Sequence, residues 1–188
     1  MKHAFSAFAD VLAALDKLEI RYAVGGSVSS SMHGIARFTR DVDILVDMGT
    51  GQVNDFLEAL GGGFAADADH IKEAFRIGRP ANIIHIESVY KFDLFPVSSI
   101  GFRQAEIRRS VMRESSLFGD LIEFAVVSAE DTILAKLDWI RQSGGGSEKQ
   151  LTDILGVIAV QGDKLDRAYM AATAAELGLS AELNRLFD

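Results

Sequence analysis

Apolar residues mark out most of the elements of this chain by their spacing. Phe5, Phe8, Val11, Leu12, Leu15 and Leu18 recur at helical intervals, which predicts an amphipathic helix over residues 3–19. The run RYAV at 21–24 reads as a short strand that ends at Gly25-Gly26, and Ser27 is placed to cap a helix over about 27–35. Residues 41–47 alternate strictly: Val42, Ile44 and Val46 face one way, and Asp41, Asp43, Leu45 and Asp47 the other, which is strand periodicity. A second amphipathic helix is expected at 51–60, ended by Gly61-Gly62-Gly63. Segments 71–78, 82–87 and 89–95 read as neighbouring strands, with turns at Arg79-Pro80 and Glu87-Ser88. Residues 101–114 fit helix and strand equally, and Phe118-Gly119-Asp120 marks a turn into a strand at 121–127.

The character changes at Ser128. The run S-A-E-D (128–131) is a helix-start signal, with Ser128 as cap and acids in the first turn, and a helix to about 141 follows. Gly144-Gly145-Gly146-Ser147 breaks the chain, and helices are expected at about 148–160, 163–177 and 180–187. The organisation is therefore an α/β (α+β) portion, residues 1–127, and a C-terminal helical bundle, residues 128–188. The mixture of β and α elements argues for a sheet flanked by helices.

Composition narrows the class. With 188 residues, 48% hydrophobic and 24% charged, the chain has material for one real core, and disorder is excluded. It has no cysteine, which removes disulfides, thiol nucleophiles and iron–sulfur clusters. Its four histidines (His3, His33, His70, His85) are scattered, without an H-E-x-x-H pair. The charged, amphipathic start is unlike a signal peptide, and no stretch of ~18 apolar residues predicts a membrane span. A cytoplasmic enzyme or binding protein is the expectation. The net charge of −8 disfavours unaided nucleic-acid binding, apart from a local basic strip at Arg103, Arg108, Arg109 and Arg113. An acidic protein can still hold a nucleotide when metal ions supply positive charge.

The candidate chemistry lies in residues 24–47. A strand ending in Gly25-Gly26-Ser27 and opening a helix lets the backbone approach an anion, with the helix N–H groups and the Ser27 hydroxyl as donors. Fourteen residues on, Asp41 and Asp43 stand two apart on a strand, so both project from one face, ~7 Å apart along the backbone. Asp is poorly suited to strands, so the pair asks for a reason. Mg²⁺ supplies one, because it binds one or two carboxylates together with phosphate oxygens. Asp93, in K-F-D-L-F-P, shares a strand face with Lys91 and Phe95, while Tyr90, Phe92 and Leu94 take the other. If that strand pairs beside 41–47, three carboxylates share one sheet face, as a two-metal phosphoryl-transfer site requires.

Gly-Gly-Ser, then Asp-x-Asp, then a lone Asp on a later strand resembles the DNA polymerase β-like nucleotidyltransferase superfamily. The spelling G-G-S-x5-H-G-x2-R-x-T-x-D-V-D-I is similar to its small bacterial stand-alone members, some of them toxin–antitoxin partners. The tail segments S-A-E-D-T-I-L-A-K-L-D-W-I-R and Q-L-T-D-I-L-G-V-I extend the similarity over nearly the whole chain. The resemblance implies a mixed β-sheet nucleotidyltransferase fold. It implies a Mg²⁺-dependent enzyme, with two ions and Mn²⁺ as a substitute, that moves a nucleoside monophosphate from an NTP to an acceptor hydroxyl of tRNA, protein or a small molecule. By the same resemblance, Gly26 and Ser27 hold the triphosphate, Gly25 shapes the turn, Asp41 and Asp43 bind both metals, and Asp93 binds the catalytic metal and helps activate the hydroxyl. Arg37, Thr39 and Arg40 are candidates to orient the carboxylates or contact phosphate. The alternative is a non-catalytic nucleotide-binding or antitoxin-like partner protein of the same fold.

Lys136 falls at the edge of the apolar stripe Ile133, Leu137, Ile140, so its ammonium needs an anion, either triphosphate or an internal acid. Asp131 reads as a helix-start charge, and Lys91 as an exposed base beside Asp93, with electrostatic support of that acid as its alternative. Asp153, opposite Leu151, Ile154, Leu155 and Ile158, reads as solvent-facing. His33 reads as packing, and Trp139 alone does not make a base-stacking platform.

Overall fold

The computed structural model describes residues 2–97, 101–117, 119–144 and 147–187. Phe118, Gly145 and Gly146, and the side chains of His3 and Phe5, lie outside the described residues. The elements run in the order α1 (Lys2–Lys17), β1 (Tyr22–Val24), α2 (Gly26–His33), β2 (Asp41–Val46), α3 (Val53–Leu60), β3 (Phe64–Ala65), α4 (Ala68–Arg76), β4 (Ala81–His85) and β5 (Lys91–Pro96). Then follow α5 (Phe102–Arg108), β6 (Val111–Ser115), β7 (Ile122–Val126), α6 (Ala129–Gln142), α7 (Glu148–Gln161), α8 (Arg167–Leu177) and α9 (Ser180–Arg185). No described helix is long and apolar enough to cross a membrane.

The strands form one mixed sheet in the order β3-β4-β5-β2-β1-β7-β6. β2 pairs parallel with β5 and antiparallel with β1, and β1 runs parallel to β7. The alternation read from the sequence sorts the two faces. Val42, Ile44, Val46, Phe92 and Leu94 enter the main core with α1, α3 and α4, through Phe8, Val11, Leu15, Phe56 and Ile71. The opposite face carries Asp41, Asp43 and Asp93. Further along, Leu45 and Ala23 pack with Ile107 of α5 and Val127, and Phe95 lies against them. A separate cluster joins α6, α7, α8 and α9 through Ile133, Leu134, Ile154, Val157, Met170 and Leu183.

Two expectations are corrected and one ambiguity resolves. Segment 71–78 is not a strand: most of it belongs to α4, where Ile71, Ala74 and Phe75 are buried at i, i+3 and i+4 and Asp67 caps the start by accepting from the amides of Asp69 and His70. The apolar triad has helical spacing, and the alternation of Phe75 with Ile77 imitated a strand. Ser27 does not cap α2, which starts at Gly26 with Gly25 as its N-cap and no side-chain cap. The ambiguous stretch 101–114 divides into α5 and most of β6.

The tail is anchored on the sheet portion where α2 ends against α7. A Cβ at Gly34 would lie 2.7 Å from the Gly156 carbonyl carbon and the Val157 nitrogen, so only glycine permits this approach. Gln161 Nε2 donates to the His33 carbonyl across the same junction at 2.6 Å. We expect Gly34→Ala to cost about 1–3 kcal/mol by forcing α7 off α2, read as a lower urea midpoint; an unchanged midpoint would show that the junction is pliable.

Candidate active site

Strand pairing brings the separated acids together. In the parallel register of β2 and β5, Asp43 lies directly opposite Asp93, and Asp41 opposite Lys91. On the other side of β5, Asn82 of β4 is the partner of Asp93. The Gly25 amide donates to the Asp43 carbonyl at 2.9 Å, which fixes the turn after β1 beside β2. Gly26 follows with φ +55°, and a Cβ there would lie 2.6 Å from the Asp43 carboxyl carbon. Positive φ and this close approach both require glycine. The Gly-Gly-Ser turn and Asp43, the second acid of β2, are thus in direct contact.

The two facing carboxylates repel. Burial, and next the charge of Asp93, push the Asp43 acid above its ordinary range. Lys91 partly neutralises the group, with its ammonium 2.9 Å from Asp93 and 3.5 Å from Asp41. Its hydrogen bond to Asp93 raises the Lys91 pKa. Lys91 therefore bridges two of the three acids, beyond the plain exposed base read from the sequence. Among the described residues, no three His, Asp or Glu side chains are arranged to hold a metal ion in this conformation. The donor set itself suits a hard cation, being three carboxylates on one sheet face, two of them register neighbours with more negative charge than one lysine offsets.

A cleft of about 680 Å³ opens beside this face. It is lined by Gly25, Gly26, Ser27 and Asp43 at one end, by Lys136 and Gln150 from the tail, and by Phe95, Glu106 and Trp139 further along. Asp93 and the exposed Asp41 are not among its lining residues.

The cations at the Ser27 end are held by an acid from the tail. Arg37 donates through Nε and Nη2 to the Asp153 carboxylate at 2.7 and 2.8 Å, and its Nη2 also reaches the Ser27 hydroxyl. Lys136 Nζ donates to the same carboxylate at 2.8 Å and to Gln150 Oε1 at 2.6 Å. Lys136 and Asp153 are only 5% and 7% exposed. Burial alone would raise the Asp153 acid, but the hydrogen bonds from Arg37 and Lys136 outweigh it and bring it down to about 2. Burial depresses the Lys136 ammonium, against the pull of Asp153. The internal anion sought for Lys136 is thus Asp153.

This overturns the reading of Asp153 as solvent-facing. The helical wheel supposes one buried stripe, but α7 packs against both α6 and α2, and two members of the supposed stripe, Leu151 and Leu155, are exposed. Neighbouring helices, which the wheel does not contain, decide the burial of this acid.

The remaining candidates fall outside this cluster. The Thr39 hydroxyl donates to the Asp41 carbonyl at 2.9 Å, which steadies the start of β2. Arg40 is exposed and lies over the Phe38 ring. His33 is buried, with Nε2 2.7 Å from the Val127 carbonyl, which fits a packing role. Asp131 is wholly buried, receiving the Tyr169 hydroxyl at 2.6 Å and facing Arg109 at 3.4 Å. The Arg109 guanidinium stacks on Tyr169, and Arg103 donates to the Pro96 carbonyl, so two members of the basic strip serve internal contacts.

Asp153→Asn leaves Arg37 and Lys136 facing each other without their shared anion. We expect it to destabilise the fold by about 3–5 kcal/mol at neutral pH, as for other broken buried pairs. Because the folded Asp153 acid sits below the ordinary carboxylate value, its contribution is full above about pH 4 and is lost as pH falls toward 2. The gap between wild type and variant in urea titrations should therefore narrow over that interval; a gap independent of pH would assign Asp153 a different role.

No family model matches the chain, and no curated protein matches it. Solved structures do. The solution structure of the antibiotic-resistance factor ANT(2'')-Ia superposes with a TM-score of 0.54 at 12% identity, covering 96% of each chain. The crystal structure of ANT(2'')-Ia in complex with adenylyl-2''-tobramycin gives 0.53 at 14% identity, over 91% of this chain and 97% of that one. The crystal structure of an antigenic nucleotidyltransferase-like protein from Paracoccidioides brasiliensis gives 0.50 at 16% identity, over 96% and 90%. At these identities the likeness is one of architecture: the mixed sheet flanked by helices is a nucleotidyltransferase fold.

Proposed function

We propose that this protein is a nucleotidyltransferase that moves a nucleoside monophosphate from an NTP to an acceptor hydroxyl. The observation that carries the reading is the register of Asp43 opposite Asp93, beside the Gly25-Gly26-Ser27 turn at the end of a cleft. Acids at that register serve no packing purpose, and the turn presents backbone N–H groups where a phosphate chain would lie.

Each residue then has a task. The start of α2 and the Ser27 hydroxyl receive the triphosphate, and Lys136 meets its negative charge from the opposite wall. Arg37, braced by Asp153, holds the Ser27 side chain in place. The attacking hydroxyl forms a bond to the α-phosphorus, the bond from that phosphorus to the bridging oxygen breaks, and pyrophosphate leaves. Asp93 takes the hydroxyl proton, and the Lys91 ammonium 2.9 Å away holds its carboxylate in position. Asp41, Asp43 and Asp93 would hold Mg²⁺, which supplies positive charge against the phosphates. Lys91, at 37% side-chain exposure, has room to withdraw when a divalent ion enters. Positioning and charge compensation do most of the work in such a transfer.

Pyrophosphate release from mixed NTPs, assayed with Mg²⁺ and a panel of tRNA, protein and small hydroxyl acceptors, tests the reading. We expect Asp43→Asn to abolish turnover and Asp93→Asn to reduce it by roughly 10²–10⁴-fold, as loss of a general base does. Lys136→Ala should chiefly raise KM for the nucleotide. Full Mg²⁺-dependent activity in Asp43→Asn would sink the proposal, as would the absence of Mg²⁺-dependent NTP binding in the wild type.

A further inference from the structure

The cleft continues past the acids and the Ser27 turn, and its far part is chemically unlike the first. Glu106, on α5, lines it while being only 4% exposed. Among the described residues, no hydrogen bond or ion pair to its carboxyl is found. The charged groups around it are otherwise engaged. Arg103, on the same helix, donates to the Pro96 carbonyl at 3.4 Å and lies 5.1 Å over the Phe95 ring. Arg109 turns to Asp131 and Tyr169. Asp138 of α6, also on the cleft wall, is bonded by Arg141 and Gln142 at 2.6 Å each. Asp131 and Asp138 are like charges that raise the Glu106 acid, and the charge of Arg103 offsets only part of this.

A buried carboxyl without a partner among the described residues is costly and calls for an explanation. Here it keeps its proton: burial first, then the Asp131 charge, push the Glu106 acid up to about 8. It faces a cavity, so a ligand could bring the missing charge. Trp139, 52% exposed, lines the same cleft, and Phe95 and Phe102 add apolar surface. An exposed indole attracts a ligand cation through its ring face, and a carboxyl lining the same cleft can pair with that cation. The cleft is therefore polarised, with Lys136 near the Gly-Gly-Ser turn and Glu106 and Asp138 beyond it.

We infer that the part of the cleft walled by Glu106 and Trp139 is an acceptor subsite for a small hydroxyl compound carrying an ammonium group, and that Glu106 is its specificity-determining residue. This rests on the nucleotidyl-transfer reading for the word acceptor, but the subsite stands on its own residues. Binding exchanges the Glu106 proton for the ligand ammonium, releasing up to one proton to solvent and leaving a carboxylate–ammonium pair. A polynucleotide acceptor would bring phosphates against Glu106 and Asp138 and is disfavoured there.

Trp139 is the only tryptophan of the chain, so its fluorescence reports occupancy of this wall. Glucosamine and its neutral counterpart glucose, titrated into full-length protein holding Mg²⁺ and a non-hydrolysable NTP, form the test. We expect glucosamine to saturate the signal at least about tenfold more tightly than glucose, a difference of about 1.4 kcal/mol, with proton release at pH 7. Glu106→Gln should erase both the preference and the proton release. Equal affinity for the two sugars, no response to either, or a preference that survives Glu106→Gln would overturn the inference. Titration of the nucleotide analogue alone keeps the two readings apart: its failure would sink nucleotidyl transfer and leave the amine preference as a separate result.

The variant should fold. A group with a raised folded-state acid constant favours the native state least at high pH, so wild-type stability should fall between about pH 5 and 8. Glu106→Gln should lack that fall and gain on the wild type across the interval. If it does not fold, Glu106→Asp, which keeps the charge but shortens its reach, should weaken glucosamine and spare glucose; equal weakening of both would again count against the subsite.

Discussion

Two carboxylates held side by side on neighbouring strands repel, and the surroundings of the cleft follow from that constraint. The placement of Asp43 against Asp93 is enforced from the opposite face of the sheet. Val42, Ile44, Phe92 and Leu94 are wholly buried, and a slip of one residue in either strand would exchange them with the acids. The hydrophobic core therefore fixes an electrostatically unfavourable pair. Lys91 relieves part of it locally, and Lys136 contributes from across the cleft. The negative charge that remains is the basis of the proposed cation binding.

The helical tail is a second source of order at the same site. Asp153 on α7 gathers Arg37 from the segment before β2 and Lys136 from α6 on one carboxylate. Three distant stretches of sequence thereby meet through one acid. Gly34 and Gly156 let α2 and α7 approach closely enough for this to happen. In the proposed function, cations aligned beforehand need not be ordered when the nucleotide triphosphate arrives, which is the physical benefit of preorganisation. The tail also supplies Trp139 and Asp138, so both ends of the cleft depend on it.

Much of this was legible in the chain. Strict alternation at 41–47 and around Asp93 gave strands with one apolar and one acidic face, because strand periodicity is a local property. The Gly-Gly-Ser turn before the Asp pair was recognisable for a similar reason: positive φ at Gly26 and its close approach to Asp43 select glycine and mark the sequence. The misread segment was 71–78, where the alternation of Phe75 with Ile77 looked like a strand although Ile71, Ala74 and Phe75 have helical spacing and Asp67 caps the start; the two-residue strand Phe64–Ala65 was not expected at all.

What the sequence could not determine is which charges are buried together. Asp153 looked solvated because a helical wheel knows one helix, whereas its environment is set by two others. Glu106 gave no signal, since it sits in a segment that read equally as helix or strand and its burial comes from the way α5 covers the sheet. Local pattern is written in the spacing of apolar side chains and needs only the backbone repeat to be read. Desolvation and ion pairing depend on distances between elements remote in sequence, and those exist only once the tertiary structure has closed around them.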